Sequence, residues 1–266
     1  MTISAPVGVF DSGVGGLSIL KEIRRLLPRE NLIYLADSGH CPYGTKPLEE
    51  IRRRTLEVSD FLAGLGVKAI VVACNAACTA GLEPIREAHP ELPVIGVEPA
   101  LKPAGARTRN GKIGVLATRL TLNGERFSNL VRDYGDGVEV FTQAAPDLVT
   151  LAEAGRIDDT GVEAAVRGYL EPLLDQGMDT LVLGCTHFPF FKPVIARIAG
   201  ADLLILDTGE PVARQTQRIL EERGLLNPGA APGRERFFTS GDPELSTTVI
   251  RQLWGDPKAV VAQSGV

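Results

Sequence analysis

Two cysteines in this chain of 266 residues stand where an apolar run gives way to polar side chains. Lys68-Ala-Ile-Val-Val-Ala-Cys74-Asn75 closes on the first. Asp179-Thr-Leu-Val-Leu-Gly-Cys185-Thr186-His187 closes on the second, 111 residues later. A thiolate is a soft base, and two of them facing one carbon from opposite sides can invert a stereocentre. The competing reading is a pair of buried structural thiols. His187 lies two residues after Cys185, where a cationic imidazole would lower the thiol pKa from its ordinary value of about 8.5. A lone histidine can equally be structural. Cys41 and Cys78 read as ordinary buried residues. With no C-x-x-C pair and no histidine cluster, no metal site is expected.

These thiols need elements to hold them. Strands are expected at Pro6–Phe10, Leu32–Leu35, Ala69–Ala73, Val94–Val97, Lys112–Ala117, Gly137–Phe141, Thr180–Gly184 and Leu203–Leu206. Helices are expected at Leu17–Leu27, Leu48–Leu65, Leu122–Tyr134, Gly161–Gln176 and Pro211–Arg223. Continuous Val/Ile/Leu runs separated by helices predict parallel sheets covered on both faces, the α/β class of doubly wound sheets. Val7-Gly-Val-Phe-Asp-Ser12 also aligns with Ile113-Gly-Val-Leu-Ala-Thr118, and three later strand pairs follow in the same order. That pattern suggests two related α/β units, although any two doubly wound domains share some of this rhythm. The expected division is 1–97 plus 208–266 for the unit with Asp11 and Cys74. Residues 98–207 would then form the unit with Thr118 and Cys185.

In parallel α/β sheets the site lies beyond the carboxyl ends of the strands. Asp11-Ser12, Asp37-Ser38, Cys74-Asn75, Thr118 and Cys185-Thr186-His187 stand there. If the two units face each other, these groups converge on one cleft. Asp11-Ser-Gly-Val-Gly-Gly16 can cradle an anion, a carboxylate as well as a phosphate, at a helix start. It can equally be a tight turn, and it lacks the Lys-Ser/Thr ending of a P-loop. No lysine stands among these strand-end residues as a Schiff-base candidate, so no cofactor is required.

The totals exclude other classes. A net charge of −5 and a pI of about 5.4 leave no basic footprint for nucleic acid or anionic lipid. The apolar runs are too short to cross a membrane. Residues 1–10 lack the pattern of a secretory leader. Four cysteines do not make a disulfide scaffold, and the expected compartment is the reducing cytoplasm.

Val9-Phe-Asp-Ser-Gly-Val-Gly-Gly-Leu17, Cys41-Pro-Tyr-Gly44, Val72-Ala-Cys-Asn75, Gly114-Val-Leu-Ala-Thr118, Leu183-Gly-Cys-Thr-His-Phe-Pro189 and Thr239-Ser-Gly-Asp-Pro-Glu244 occur in that order. Together they resemble the glutamate racemases, cofactor-independent isomerases that supply D-glutamate for bacterial peptidoglycan. The resemblance implies two α/β domains related by a pseudo-twofold, with the active site in the cleft between them. It implies that the thiol of Cys74 takes the α-proton from D-glutamate and that of Cys185 from L-glutamate. Asp11 would assist Cys74, while Glu153 and His187 assist Cys185. Ser12, Tyr43, Gly44, Asn75, Ala76, Thr118, Thr186 and His187, with Asp11, would contact the substrate. The resemblance also implies a homodimer.

Ala76 departs from the family pattern, which usually has threonine there. A lost hydrogen bond to a charged carboxylate weakens binding by roughly 1.5–3 kcal/mol unless Thr79 or a water replaces it. Two alternatives therefore stand beside glutamate racemisation: a racemase of aspartate or another amino acid, and a non-catalytic protein holding a small anion.

Overall fold

The computed structural model describes residues 2–135 and 137–266. The chain divides into two compact units, Met1–Val97 with Gly209–Val266, and Glu98–Thr208. Each is an α/β unit built on a parallel sheet. Among the described residues no helix is long and apolar enough to cross a membrane.

The first unit carries strands β1 (Val7–Asp11), β2 (Leu32–Ala36), β3 (Ala69–Val72), β4 (Val94–Gly96), β9 (Glu235–Thr239) and β10 (Val261–Gln263). They form a six-stranded sheet in the order β10-β9-β2-β1-β3-β4. Its helices are α1 (Leu17–Leu26), α2 (Leu48–Gly64), α3 (Asn75–Ala88), α10 (Gly209–Glu222) and α11 (Pro243–Trp254). Because β2 lies on one side of β1 and β3 on the other, right-handed crossovers put α1 and α2 on opposite faces. β1 as far as Phe10, β2 and β3 are apolar throughout, as strands covered on both faces must be. α1 turns Leu17, Ile19, Leu20 and Ile23 inward.

The second unit carries β5 (Lys112–Ala117), β6 (Glu139–Ala144), β7 (Thr180–Leu183) and β8 (Leu204–Leu206), in the order β6-β5-β7-β8. Its helices are α4 (Leu101–Arg107), α5 (Arg119–Asn123), α6 (Glu125–Tyr134), α7 (Pro146–Glu153), α8 (Thr160–Leu174) and α9 (Lys192–Ala199). This order matches β2-β1-β3-β4 strand for strand. The match extends to register: Gly8 pairs with Ile33 and Ile70, and Gly114 with Phe141 and Leu181. A Cβ on Gly8 would lie 3.0 Å from Val67, and one on Gly114 would lie 2.2 Å from the Met178 sulfur. Both glycines let a neighbouring segment pack closely on the central strand.

Several expectations need correction. The single helix expected over Leu122–Tyr134 is broken at Gly124, whose extended backbone ends α5 and starts α6. The strand expected at Gly137–Phe141 begins only at Glu139, because Gly137 has a φ of 74° and turns the chain. Helices α3, α4, α7, α9 and α11 and strands β9 and β10 fall outside the segments expected from the sequence pattern. Cys78 is buried, donating to the Val72 carbonyl and accepting from the Val97 amide, but Cys41 is only half-buried.

α3 matters most, because Cys74 is its N-cap. Pro84 and Gly81 argue against a helix there on propensity alone. Tertiary packing overrides them, since Gly81 faces Thr55 of α2. A Cβ at position 81 would meet the Thr55 hydroxyl at 2.0 Å. Gly81→Ala is therefore expected to destabilise the protein by roughly 1–3 kcal/mol. Thermal unfolding of the purified variant checks this, and an unchanged Tm would mean that α2 and α3 part easily.

In the second unit Asp179, just before β7, gathers the loop ahead of β5. Thr108 and Thr180 hydroxyls donate to its carboxylate at 2.6 and 2.8 Å, and the amides of Arg109 and Asn110 at 2.6 and 2.9 Å. Partial burial pushes this carboxyl up, but these donors outweigh it and hold the pKa at about 2. A folded pKa below the unfolded value stabilises the native state above the ordinary carboxylate range, and the effect fades as pH falls through the folded value. Asp179→Asn is thus expected to melt below wild type at neutral pH. Melting curves at a series of pH values should show the gap closing between about pH 4 and about pH 2.

Candidate active site

In a sheet ordered 2-1-3-4 the strand order reverses at the first and third strands, and ligands bind outside the carboxyl ends of that pair. In the first unit those ends are Asp11-Ser12 after β1 and Cys74 after β3. In the second they are Thr118 after β5 and Cys185 after β7. The two thiols occupy equivalent places, each two residues beyond its strand. The intervening residue pairs back once more, Ala73 donating to the Phe10 carbonyl at 2.8 Å and Gly184 to that of Leu116 at 2.7 Å.

Around Cys74 the first unit assembles a polar, buried set. Asp11 and Ser12 are buried. Gly13 donates its amide to Asp11 Oδ2 at 3.2 Å, and Tyr34 donates its hydroxyl to the Gly13 carbonyl at 2.6 Å. A Cβ at Gly16 would come within 2.7 Å of the Asp11 Cβ, so the loop into α1 lies hard against β1. The turn is therefore tight, and glycine lets it approach the strand. Cys74 Sγ accepts from the Ala77 amide at 3.4 Å, and its S–H donates to Ser12 Oγ at 3.6 Å. A hydroxyl can accept from the thiol and donate to the thiolate, so Ser12 suits both protonation states. The amino end of α3 favours the anion.

Asn75 and Ala76 follow in the first turn of α3, both buried. Among the described residues neither Oδ1 nor Nδ2 of Asn75 has a hydrogen-bond partner. A buried amide without partners costs stability, and such exceptions gather where a ligand completes the site. Ala76 brings no hydroxyl. One turn on, the Thr79 hydroxyl donates to the Asn75 carbonyl at 3.1 Å.

Tyr43 and Gly44 lie in the short 3₁₀ turn Tyr43–Thr45. The Tyr43 hydroxyl is not open to a ligand proton acceptor: it donates to Asp37 Oδ2 at 2.5 Å. Burial pushes the phenol far above its ordinary pKa, and the charge and hydrogen bond of Asp37 and the nearby Cys74 add to this. Tyr43 therefore stays protonated. Asp37 is a residue whose strand-end position was visible in the sequence but whose role was not.

In the second unit Cys185, Thr186 and His187 are buried. Cys185 Sγ lies 3.6 Å from His187 Nδ1, and His187 Nε2 lies 2.6 Å from Glu153 Oε1. With Nε2 protonated toward the carboxylate, Nδ1 can take a proton from the thiol. The resulting imidazolium can then hold the thiolate. Glu153 ends α7, an element the sequence patterns did not reveal. Thr118 caps α5, accepting from the Thr121 amide at 3.3 Å. Ser12 thus lies against Cys74 in the first unit, and His187 with Glu153 behind it against Cys185 in the second.

A family model for Asp/Glu/hydantoin racemases matches residues 7–216. The chain belongs to this family. A glutamate racemase of Pseudomonas paraeruginosa is 50% identical to it over 257 residues, 97% of either chain. Among solved structures, a glutamate racemase isoform of Bacillus anthracis superposes with a TM-score of 0.88 at 35% identity, covering 97% of both chains. Escherichia coli glutamate racemase, in complex with L-glutamate and the activator UDP-MurNAc-Ala, has a TM-score of 0.85 at 32% identity, again over 97% of both.

Proposed function

We propose that this protein is a glutamate racemase that interconverts L- and D-glutamate without a cofactor and supplies D-glutamate for peptidoglycan. The observation that carries the reading is the matched pair of thiols. Cys74 and Cys185 each stand two residues beyond equivalent strands, and each has partners able to serve both its thiol and thiolate forms.

The α-proton of an amino acid is far less acidic than a thiol, so the carbanion must be stabilised where it forms. One thiolate removes the proton from one face of the α-carbon while the opposite thiol delivers a proton to the other. The enzyme then rests in the complementary protonation form and is ready for the other enantiomer. Asp11 and the Ser12 hydroxyl serve the Cys74 side, and the His187–Glu153 pair serves the Cys185 side. Asn75 offers one acceptor and two donors, a set that matches the ammonium and carboxylate groups of an amino acid. Thr118 and Thr186 in the second unit, and the amides of Tyr43, Gly44 and Ala76 in the first, would offer the substrate further hydrogen bonds that strengthen as charge builds on the carboxylate.

The test is α-proton exchange in deuterium oxide with cofactor-free protein. Both glutamate enantiomers should take up deuterium and converge on a racemic mixture. A larger kcat/KM for aspartate, or carboxylate binding without exchange of any amino acid, would overturn the reading. We read the assembly as a homodimer on family resemblance, which a solution mass of one chain would refute. A cytoplasmic location fits a chain whose four cysteines are too few for a disulfide scaffold.

A further inference from the structure

We propose that Asp37 is a positioning residue for substrate binding, acting through Tyr43 to fix the Tyr43–Thr45 turn. The proposal rests on the reading of that turn as a substrate contact. Asp37 directly follows β2, and its amide donates to the Asp11 carbonyl at 2.9 Å, so it runs alongside the end of β1. Its side chain is fully buried. Four separate residues converge on the carboxylate. Tyr43 donates from the turn itself at 2.5 Å, and Arg54 of α2 donates through two nitrogens at 2.6 and 3.1 Å. Ser240, just past β9, donates at 2.5 Å, and the His40 ring lies 3.2 Å away. Ser240 also accepts from the Gly39 amide, closing the loop that leads to the turn.

A buried carboxylate is costly unless it is paired, and a hub of this kind usually reads as structural. Two features point further. Burial pushes the Asp37 carboxyl up, but Arg54, Ser240 and Tyr43 outweigh it and hold the group below the ordinary carboxylate range, so it is ionised. Tyr43 uses its only proton on that anion while its ring is buried. The hub therefore locks one aromatic side chain from the turn that would carry substrate-facing amides. Another buried ion pair, Lys68 with Glu30, lies before β3, at the opposite end of the sheet.

Asp37→Asn keeps the shape and removes the charge. The expected result is a KM for D-glutamate raised by about tenfold, because small misplacements of binding groups are costly, with kcat changed by less than about twofold. Tyr43→Phe added to Asp37→Asn should change KM little beyond Asp37→Asn alone, since the hydroxyl acts only through Asp37. Hydrogen exchange, read without substrate, should show faster exchange of the amides of residues 43–46 while those of β1 keep their protection. An unchanged KM with only a lower Tm, or unchanged protection at 43–46, overturns the proposal. Absence of turnover in the wild-type protein would instead overturn the racemase reading, and the exchange measurement would still decide whether Asp37 orders the turn.

Discussion

Alanine at Cys74 or at Cys185 is expected to lower glutamate interconversion in both directions by about 10²–10⁴-fold or more. A positioned acid or base typically contributes that much, and each thiol serves as base in one direction and acid in the other. The two variants should still differ. With Cys74 alone, slow deuterium uptake is expected into D-glutamate without inversion. With Cys185 alone, the same is expected for L-glutamate. Proton magnetic resonance at the α-carbon, run on each enantiomer separately, reads this mirror pattern. Wild-type turnover by either variant would refute the two-base mechanism.

Asn75→Ala is expected to move activity and stability in opposite directions. Both polar ends of this side chain are buried and unpartnered among the described residues. Removing them takes away a desolvation penalty of about 1–3 kcal/mol, against a small loss of packing. The free protein should therefore melt no lower than wild type. If Asn75 meets both the ammonium and the carboxylate of glutamate, losing two charge-assisted bonds, each about 1.5–3 kcal/mol, cuts kcat/KM by two orders of magnitude or more. Melting curves and steady-state rates on the same preparation test both halves. A variant that loses stability but keeps its activity would assign Asn75 to structure instead.

Much of this architecture was legible because fully covered parallel strands must be apolar throughout. Phe10, Val72 and Leu183 each close such a run, so the polar residues that follow announced the sheet's functional edge. The repeat was legible at Gly8 and Gly114, where close packing fixes the residue type. β9 and β10 escaped notice for the converse reason. Glu235 and Arg236 open β9, and β10 has only three residues, so neither carries a long apolar signal. α3 was hidden by Gly81 and Pro84, whose propensities are outweighed by contact with α2. At the candidate site, the residues at strand ends could be found by position. Glu153 could not, since it is the last residue of a helix that the sequence pattern does not show, and it entered only through family resemblance. The role of Asp37 was invisible because its partners Arg54 and Ser240 are remote in sequence.

The interleaving of the chain has a consequence during synthesis. Residues 98–208 form a contiguous unit and can fold as soon as they leave the ribosome. The other unit cannot finish so early, because the partner on the outer side of β2 is β9, some two hundred residues later. Until that partner emerges, β2 presents Leu32, Ile33 and Leu35 along an open hydrogen-bonding edge, a template for unwanted pairing between nascent chains. Delays in translation before β9 has left the ribosome would therefore favour aggregation.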